Sequence, residues 1–267
     1  MTSIPVGAPV WSDSLTADLA ADVAFYESLF GWKAVDAGEE FGHYTTFAIP
    51  DGTEGGRAVM GIMPCPPDAQ PSRVWNVHFS VEDCDAVTAR ARALGAEVMM
   101  EPEDWGRMLR FAMLKDPHGA EFGLAEIREA SVGFGVWGEP NSVGWIEYRV
   151  DGAPAEAMRF YADLLGWKIA TPPWEDEAND KPYAALSAVG DEREFGGCHA
   201  SEGFELGLPA QWTVMLGVED ADDVCERAVE LGGSIAGQPI DVPGLRIAGI
   251  AAPSGTIAGI MSPRPWE

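Results

Sequence analysis

Two short segments carry the first hint of chemistry: Trp11-Ser12-Asp13 and Trp145-Ile146-Glu147, each an indole followed two residues later by a carboxylate. On a strand, residues two apart share a face, so each pair sets an acid beside an aromatic wall. Such a pair can hold a planar ligand by its ring and an amine by its charge. A third group is Trp75-Asn76-Val77-His78, in which Asn76 and His78 share a face. An imidazole placed there can contact a ligand or act as general acid or base. Arg110 and Phe122 belong to later strands, with Arg246 and Ala258 as their counterparts further on. A competing structural reading pairs Asp13 and Glu147 with Arg110 and Arg246 and packs the strand tryptophans into a core.

Other chemistries have little support. His43, His78, His118 and His199 stand singly, with no partner at i, i+2 or i, i+4 to form a local metal-ligand pair. Cys65, Cys84, Cys198 and Cys225 lie far apart and form no CxxC, the pattern of reduced thiols in a cytoplasm. No nucleophile, base and orienter can be read together.

The elements that must position these residues occur twice. Phe25-Tyr26-Glu27-Ser28-Leu29-Phe30-Gly31-Trp32 returns as Phe160-Tyr161-Ala162-Asp163-Leu164-Leu165-Gly166-Trp167, and Trp75 to Asp83 returns as Trp212 to Asp220. An internal duplication gives each candidate residue a twin against which it can be checked. In the first half, alternation predicts a strand over 9–16. Asp18 then caps a helix whose Leu19, Val23, Tyr26 and Phe30 share one face and which Gly31 ends. Strands follow over 44–49 and 57–63. After a proline-rich loop come a strand over 74–81, a helix near 83–94 with Val87, Ala91 and Leu94 inward, and strands near 96–100, 109–114 and 120–125.

The second half repeats the order: strand 143–150, helix 154–165, strands near 183–189 and 194–199, strand 211–218, helix 221–231, and strands near 234–238, 245–251 and 256–261. Trp174-Glu175-Asp176-Glu177 falls in a polar insertion read as a mobile loop. The fold class is α+β, with two βαβββ units in each half. The domains are residues 1–130 and 143–267, joined by a linker over 131–142 rich in glycine and small residues.

Composition bounds the partners. The 267 residues are 46% hydrophobic, enough for two ordinary cores, and no apolar run nears the ~20 residues that span a bilayer. The start of the chain lacks a basic stretch followed by an apolar one, so a cytoplasmic location is expected. The net charge of −26 repels nucleic acid and anionic membranes and attracts cations, beyond its plain effect on solubility. A monomer and a homodimer both remain open.

The paired βαβββ units, the FY…GW helix ends, the Val81-Glu82-Asp83 strand end and the Asp116-Pro117-His118-Gly119 turn together resemble the vicinal oxygen chelate superfamily. That superfamily includes glyoxalase I, bleomycin-resistance proteins and extradiol dioxygenases. The Trp-x-acid strands are similar to a two-domain, glyoxalase-like subgroup common in actinobacteria, whose members are loosely named hydroxylases, antigens or antibiotic-biosynthesis accessory proteins. The resemblance implies tandem duplicated glyoxalase-like domains, each forming a curved mixed-sheet cup. It also implies a divalent metal held by His, Gln or Glu. Carried over residue by residue, the ligand seats fall on Trp11, Asn76 and Phe122, and in the second half on Gly144 or Trp145, Thr213 and Ala258. None is a sound donor, so the expectation is no metal and no other cofactor.

The function expected is a metal-independent small-molecule binding protein. It would sequester or carry a planar, hydrophobic aromatic metabolite, cationic where that metabolite bears an amine, in antibiotic resistance or as accessory to a biosynthetic enzyme. Its ligand contacts would be Trp11, Asp13, Asn76, His78, Arg110, Phe122, Trp145 and Glu147. The alternative is a metal-free enzyme that assists hydroxylation, cyclisation or isomerisation of an aromatic polyketide, with His78 as acid or base oriented by Asp13 or Arg110. A weaker alternative is a divergent metal enzyme using His43, His78 or His199 with Glu147. Missing donors and abundant tryptophan favour binding over catalysis.

Overall fold

The computed structural model describes residues 4–129, 131–176 and 178–264. Ala130, Glu177 of the polar insertion, and residues 1–3 and 265–267 at the ends of the two sequence domains lie outside the described residues. The chain builds four βαβββ modules. The first holds β1 (Pro9–Thr16), α1 (Leu19–Phe30), β2 (Lys33–Asp36), β3 (Thr45–Ile49) and β4 (Arg57–Pro64). The second holds β5 (Asn76–Ser80), α2 (Cys84–Ala93), β6 (Glu97–Trp105), β7 (Leu109–Lys115) and β8 (Glu121–Ile127). The third holds β9 (Val143–Val150), α3 (Pro154–Ala157), α4 (Arg159–Leu165), β10 (Lys168–Ala170), β11 (Ala184–Ser187) and β12 (Glu194–Ala200). The fourth holds β13 (Gln211–Gly217), α5 (Ala221–Glu230), β14 (Ser234–Val242), β15 (Leu245–Ala251) and β16 (Ile257–Pro263).

Each half of the chain makes one eight-stranded sheet, in the orders β2-β3-β4-β1-β5-β8-β7-β6 and β10-β11-β12-β9-β13-β16-β15-β14. Within every module the first and last strands run parallel, and the hairpin strands beside them run antiparallel. A helix after the first strand forces this arrangement, since a parallel pair needs a long crossover. The tandem α+β duplication expected from the sequence is therefore present.

Compact packing divides the chain differently from the sheets. One unit gathers the residues up to Trp11, Val77–Gly133 and Ile146–Trp212; the other gathers Ser12–Asn76, Phe134–Trp145 and the residues from Thr213 onward. Each unit thus joins one module of the first half to one of the second. In the first unit, Tyr161 stacks on Trp167 with centroids 4.9 Å apart, and Phe79, Phe122, Tyr148 and Trp212 meet them edge-on. Trp212 Nε1 donates to the Tyr161 hydroxyl at 2.8 Å. The second unit repeats the pattern: Tyr26 packs among Phe30, Trp32, Phe47 and Trp75, and Trp75 Nε1 donates to the Tyr26 hydroxyl at 3.1 Å. Each aromatic pair adds ~0.5–1.5 kcal/mol beyond the area it buries.

The recurring Gly-Trp at each helix end has two jobs. Gly31 and Gly166 take left-handed backbone (φ 69° and 74°), which ends α1 and α4. The indoles that follow donate to backbone carbonyls, Trp32 to Asn141 and Trp167 to Gly7, both at 2.8 Å. A second twinned device was not legible in the sequence. Arg90 on α2 donates to the Leu164 carbonyl at the end of α4, and Arg227 on α5 donates to the Ser28 and Leu29 carbonyls at the end of α1. Each guanidinium satisfies carbonyls that have no partner within their own helix, where a positive charge is also favoured.

Several expectations need correction. Helix α1 buries Asp22, Phe25, Tyr26, Leu29 and Phe30, so its inward stripe excludes Leu19 and Val23. Helix α2 buries Cys84, Thr88 and Ala91, while Leu94 is exposed: a close-packed face selects small residues over the larger aliphatics nearby. The single helix expected over 154–165 is two, meeting at Met158. Apart from these corrections, the segment 131–142 is tied to its neighbours. Its Gly135 amide donates to Ala58, its Asn141 amide to Gly217, and Glu139 pairs with Arg57 at 2.7 Å.

Candidate functional site

Strand alternation sorts the candidate residues by face. On β1, Val10, Ser12, Ser14 and Thr16 are buried, while Trp11, Asp13 and Leu15 are partly open. On β9, Ile146, Tyr148 and Val150 are buried, while Trp145, Glu147 and Arg149 are partly open. The two Trp-x-acid pairs therefore occupy the open face of their strands. Trp75 and Trp212, at 0% and 1% exposed, are core residues, as the structural reading of the tryptophans required.

The four modules share one further feature. The last strand of each carries a glycine in register with a residue of the first strand: Gly61 with Asp13, Gly123 with His78, Gly197 with Glu147, and Gly259 with Met215. The space a Cβ would take at each glycine is already filled. Tyr44 covers Gly61 and Tyr183 covers Gly197, each with its hydroxyl nearest; the His78 ring covers Gly123 and the Met215 sulfur covers Gly259. His78 is buried, with Phe111 at a centroid distance of 6.5 Å.

Phe122 does not stand on that face. It is wholly buried among Phe79, Phe160 and Tyr161, and its neighbour Gly123 is the residue that lies beside His78. An error of one position moves a strand residue to the opposite face. Arg110 is also committed elsewhere: its guanidinium binds Asp85 at 2.6 and 2.9 Å and Asp104 at 3.2 Å. Arg246 repeats this with Asp222 and Asp241. The arginines thus fasten helices α2 and α5 to their hairpins. Asn76 is partly open, and its carbonyl accepts from the Ser12 hydroxyl at 2.8 Å.

The richest polar group lies in the third module. Glu147 accepts from the Tyr183 hydroxyl at 2.7 Å and pairs with His199 Nδ1 at 2.7 Å. His199 Nε2 stands 3.5 Å from Glu205, which in turn lies 3.8 Å from Arg149. Arg149 also donates to the Pro209 carbonyl at 3.0 Å. Register explains the meeting: Glu147 lies opposite Gly197 and Arg149 opposite His199 on parallel strands, so side chains two apart on each strand share one face. Burial opposes a charged imidazole here, but the hydrogen bonds to Glu147 and Glu205 and the charges of both outweigh it, raising His199 to about 9. Burial likewise acts to raise Glu205, yet its bond to His199 prevails and holds the carboxyl below its ordinary range.

Both ring nitrogens of His199 face carboxylates, an arrangement that favours the imidazolium. Among the described residues no three or more His, Cys, Asp or Glu side chains form a set able to hold a metal ion. Of the seats carried over from the superfamily, Trp11 and Phe122 bear no lone-pair donor for the divalent metal the resemblance implies.

A pH dependence follows. The His199 contribution to stability is complete below its unfolded value of 6.5 and is lost as pH rises towards about 9. The Glu205 contribution is present above its unfolded value of 4.5 and is lost in acid. His199 is 37% exposed, so solvent screening limits its share to about 1 kcal/mol. Stability of the native protein should fall by that amount between pH 6.5 and 9, and His199→Gln should remove that slope in denaturant titrations.

Tyr183, Glu205 and Trp174 were missed from the sequence. Tyr183 had one readable signal: like Tyr44, it precedes the third strand of its module.

The family model described as the Glyoxalase/Bleomycin resistance protein/Dioxygenase superfamily matches residues 13–124 and 142–257. The chain is 33% identical over 269 residues to the anthracycline biosynthesis protein DnrV of Streptomyces peucetius, covering 96% of this chain and 93% of that one. It is also 33% identical over 271 residues to CFP32 of Mycobacterium tuberculosis, provisionally named a glyoxylase, covering 98% and 97% of the two chains. Among solved structures, the Mn(II)-bound glyoxalase from Novosphingobium aromaticivorans superposes with a TM-score of 0.61 at 18% identity, over 97% of this chain and 82% of that one. At that identity the likeness speaks for the fold alone. No helix among the described residues is long and apolar enough to cross a membrane.

Proposed function

The chain belongs to the glyoxalase/bleomycin resistance protein/dioxygenase superfamily, and from that premise we propose that it binds a planar aromatic metabolite without a metal, as an accessory to aromatic-polyketide biosynthesis. One observation carries the reading. The positions that face each other on the first and last strands of every module hold a glycine opposite Asp13, His78, Glu147 or Met215. Tyrosine, histidine and methionine side chains fill the space where longer donors would have to stand. The two tyrosines and the methionine suit aromatic, hydrogen-bonding and apolar contacts with an organic ligand.

The relatives DnrV and DauV, both named anthracycline biosynthesis proteins, support a place in that kind of pathway. The net charge of −26 favours approach of an amine-bearing ligand. Catalysis remains a second reading because His199 and Glu147 form a hydrogen-bonded acid and carboxylate. In that version His199, held protonated, donates a proton, and the catalytic role passes from His78 to His199.

The test is titration of an amino-sugar anthracycline and its aglycone into protein dialysed against a strong chelator, with and without added Mn(II). Affinity should agree within ~twofold across the two conditions, a difference under about 0.5 kcal/mol. Binding that vanishes on chelation and returns with Mn(II) would overturn metal independence. Turnover of either compound that His199→Gln abolishes would replace the binding role with the catalytic one.

A further inference from the structure

We infer that Trp174 and Tyr183 form a preset platform for one ring face of a planar polycyclic ligand, an assignment that rests on the binding function proposed above. Among the described tryptophans, Trp174 alone is exposed, at 48% of its surface. Core packing accounts for Trp32, Trp75, Trp167 and Trp212 and leaves Trp174 unexplained. An indole left in water forfeits the burial that normally offsets its cost.

Its position is not that of a stray surface residue. The Trp174 and Tyr183 rings lie 5.2 Å apart at 49°, so the two aromatics form an open angle. The Tyr183 hydroxyl runs on to Glu147, and Glu147 to His199. The platform therefore ends at the polar group of the third module, where a ring hydroxyl or quinone oxygen would find hydrogen-bonding partners.

The loop that carries Trp174 is held by its own side chains. Glu175 accepts from the Tyr183 amide at 2.7 Å, from Asn179 Nδ2 at 2.9 Å and from the Asp176 amide at 3.1 Å. One carboxylate thus joins the start of the insertion to its end and fixes the approach of Trp174 to Tyr183. A loop ordered before binding spares the ligand that ordering cost. The same insertion encloses a cleft of about 410 Å³ lined by Thr171, Pro172, Pro173, Asn179 and Pro182. Its charged walls are Glu175, already used in closing the loop, and Asp176, so the platform is the better surface for a polar-edged aromatic.

The experiment compares wild type, Trp174→Ala, Trp174→Phe and Glu175→Ala, with an amino-sugar anthracycline and its aglycone as probes. Affinity is read by calorimetry and fold by thermal midpoint. Trp174→Ala should bind both probes about tenfold more weakly at an unchanged midpoint, and Trp174→Phe should stay within ~threefold of wild type. Glu175→Ala should fall between them. Wild-type binding that Trp174→Ala leaves unchanged would sink the platform and spare the binding function. A loss that Trp174→Phe does not recover would also sink it, since any aromatic ring should stack. Absence of saturable binding by wild type to either probe would overturn both.

Discussion

Replacing Asp116 with alanine is expected to cost about 3–5 kcal/mol of stability, since four buried donors lose one charged acceptor at roughly 1 kcal/mol or more each. The side chain is 4% exposed and accepts four hydrogen bonds: from the His118 and Ala120 amides at 2.8 and 3.0 Å, and from the Tyr148 and Tyr161 hydroxyls at 2.6 and 2.9 Å. Alanine would leave two amides and two phenols without their acceptor in a closed interior. Burial first, and then the charge of Asp116, push the Tyr148 and Tyr161 hydroxyls well above their ordinary values, so both phenols stay donors to the carboxylate. Denaturant titration by tryptophan fluorescence is the measurement. A loss under about 1 kcal/mol would mean that water replaces the carboxylate.

The twin comparison sharpens that prediction. The turn corresponding to Asp116-Pro117-His118-Gly119 is Ala252-Pro253-Ser254-Gly255, which lacks the acid. In that unit a carboxylate arrives from the helix instead. Asp22 is fully buried and accepts from the Thr16 hydroxyl at 2.6 Å and from the Ser254 amide and hydroxyl. The helix position equivalent to Asp22 in the other unit is Ala157, three residues before the repeated Phe-Tyr. Each unit therefore buries one such carboxylate, supplied by the turn in one case and by the helix in the other. Asp22→Ala should be as costly as Asp116→Ala. The double change Asp116→Ala with Ala157→Asp should recover about 1 kcal/mol of the single-mutant loss, the worth of an ordinary hydrogen bond.

What the sequence disclosed follows from where its signals lie. The duplication, the Asp18 cap and the left-handed Gly31 at the end of α1 are local patterns, and the structure places each of them as read; Asp83, Asp220 and Gly166 repeat those roles in the other modules. Strands β2 and β10 are four and three residues long and largely exposed, so no alternation marked them. The Glu147 group escaped for a different reason. Its hydrogen bonds join residues 36 and 52 positions apart, and only the β11-β12-β9 order and the parallel register bring them together. Arg110 was placed on the right strand, but sequence gave no sign that Asp85 and Asp104 would claim it.

Phe122→Ala is expected to cost about 3–5 kcal/mol, the range for deleting a buried aromatic ring, and to leave the ligand affinity of the folded fraction unchanged. The ring is 0% exposed and packs against Phe79, Phe160 and Tyr161 at centroid distances of 6.3, 5.9 and 5.3 Å. Gly123→Ala should behave in the opposite way. The added methyl would meet the His78 ring at 2.0 Å, so the imidazole must move, at a cost of about 1–3 kcal/mol for overpacking. Any role of His78 in binding should then register in that variant. Parallel titrations of the two proteins with an amino-sugar anthracycline, beside their denaturation curves, separate the faces of β8. If Phe122→Ala weakened binding without destabilising the fold, Phe122 would return to the ligand contacts and the burial argument would fail. One position along a strand decides whether a side chain builds the core or meets a ligand, and adjacent substitutions with opposite readouts are the direct way to measure that boundary.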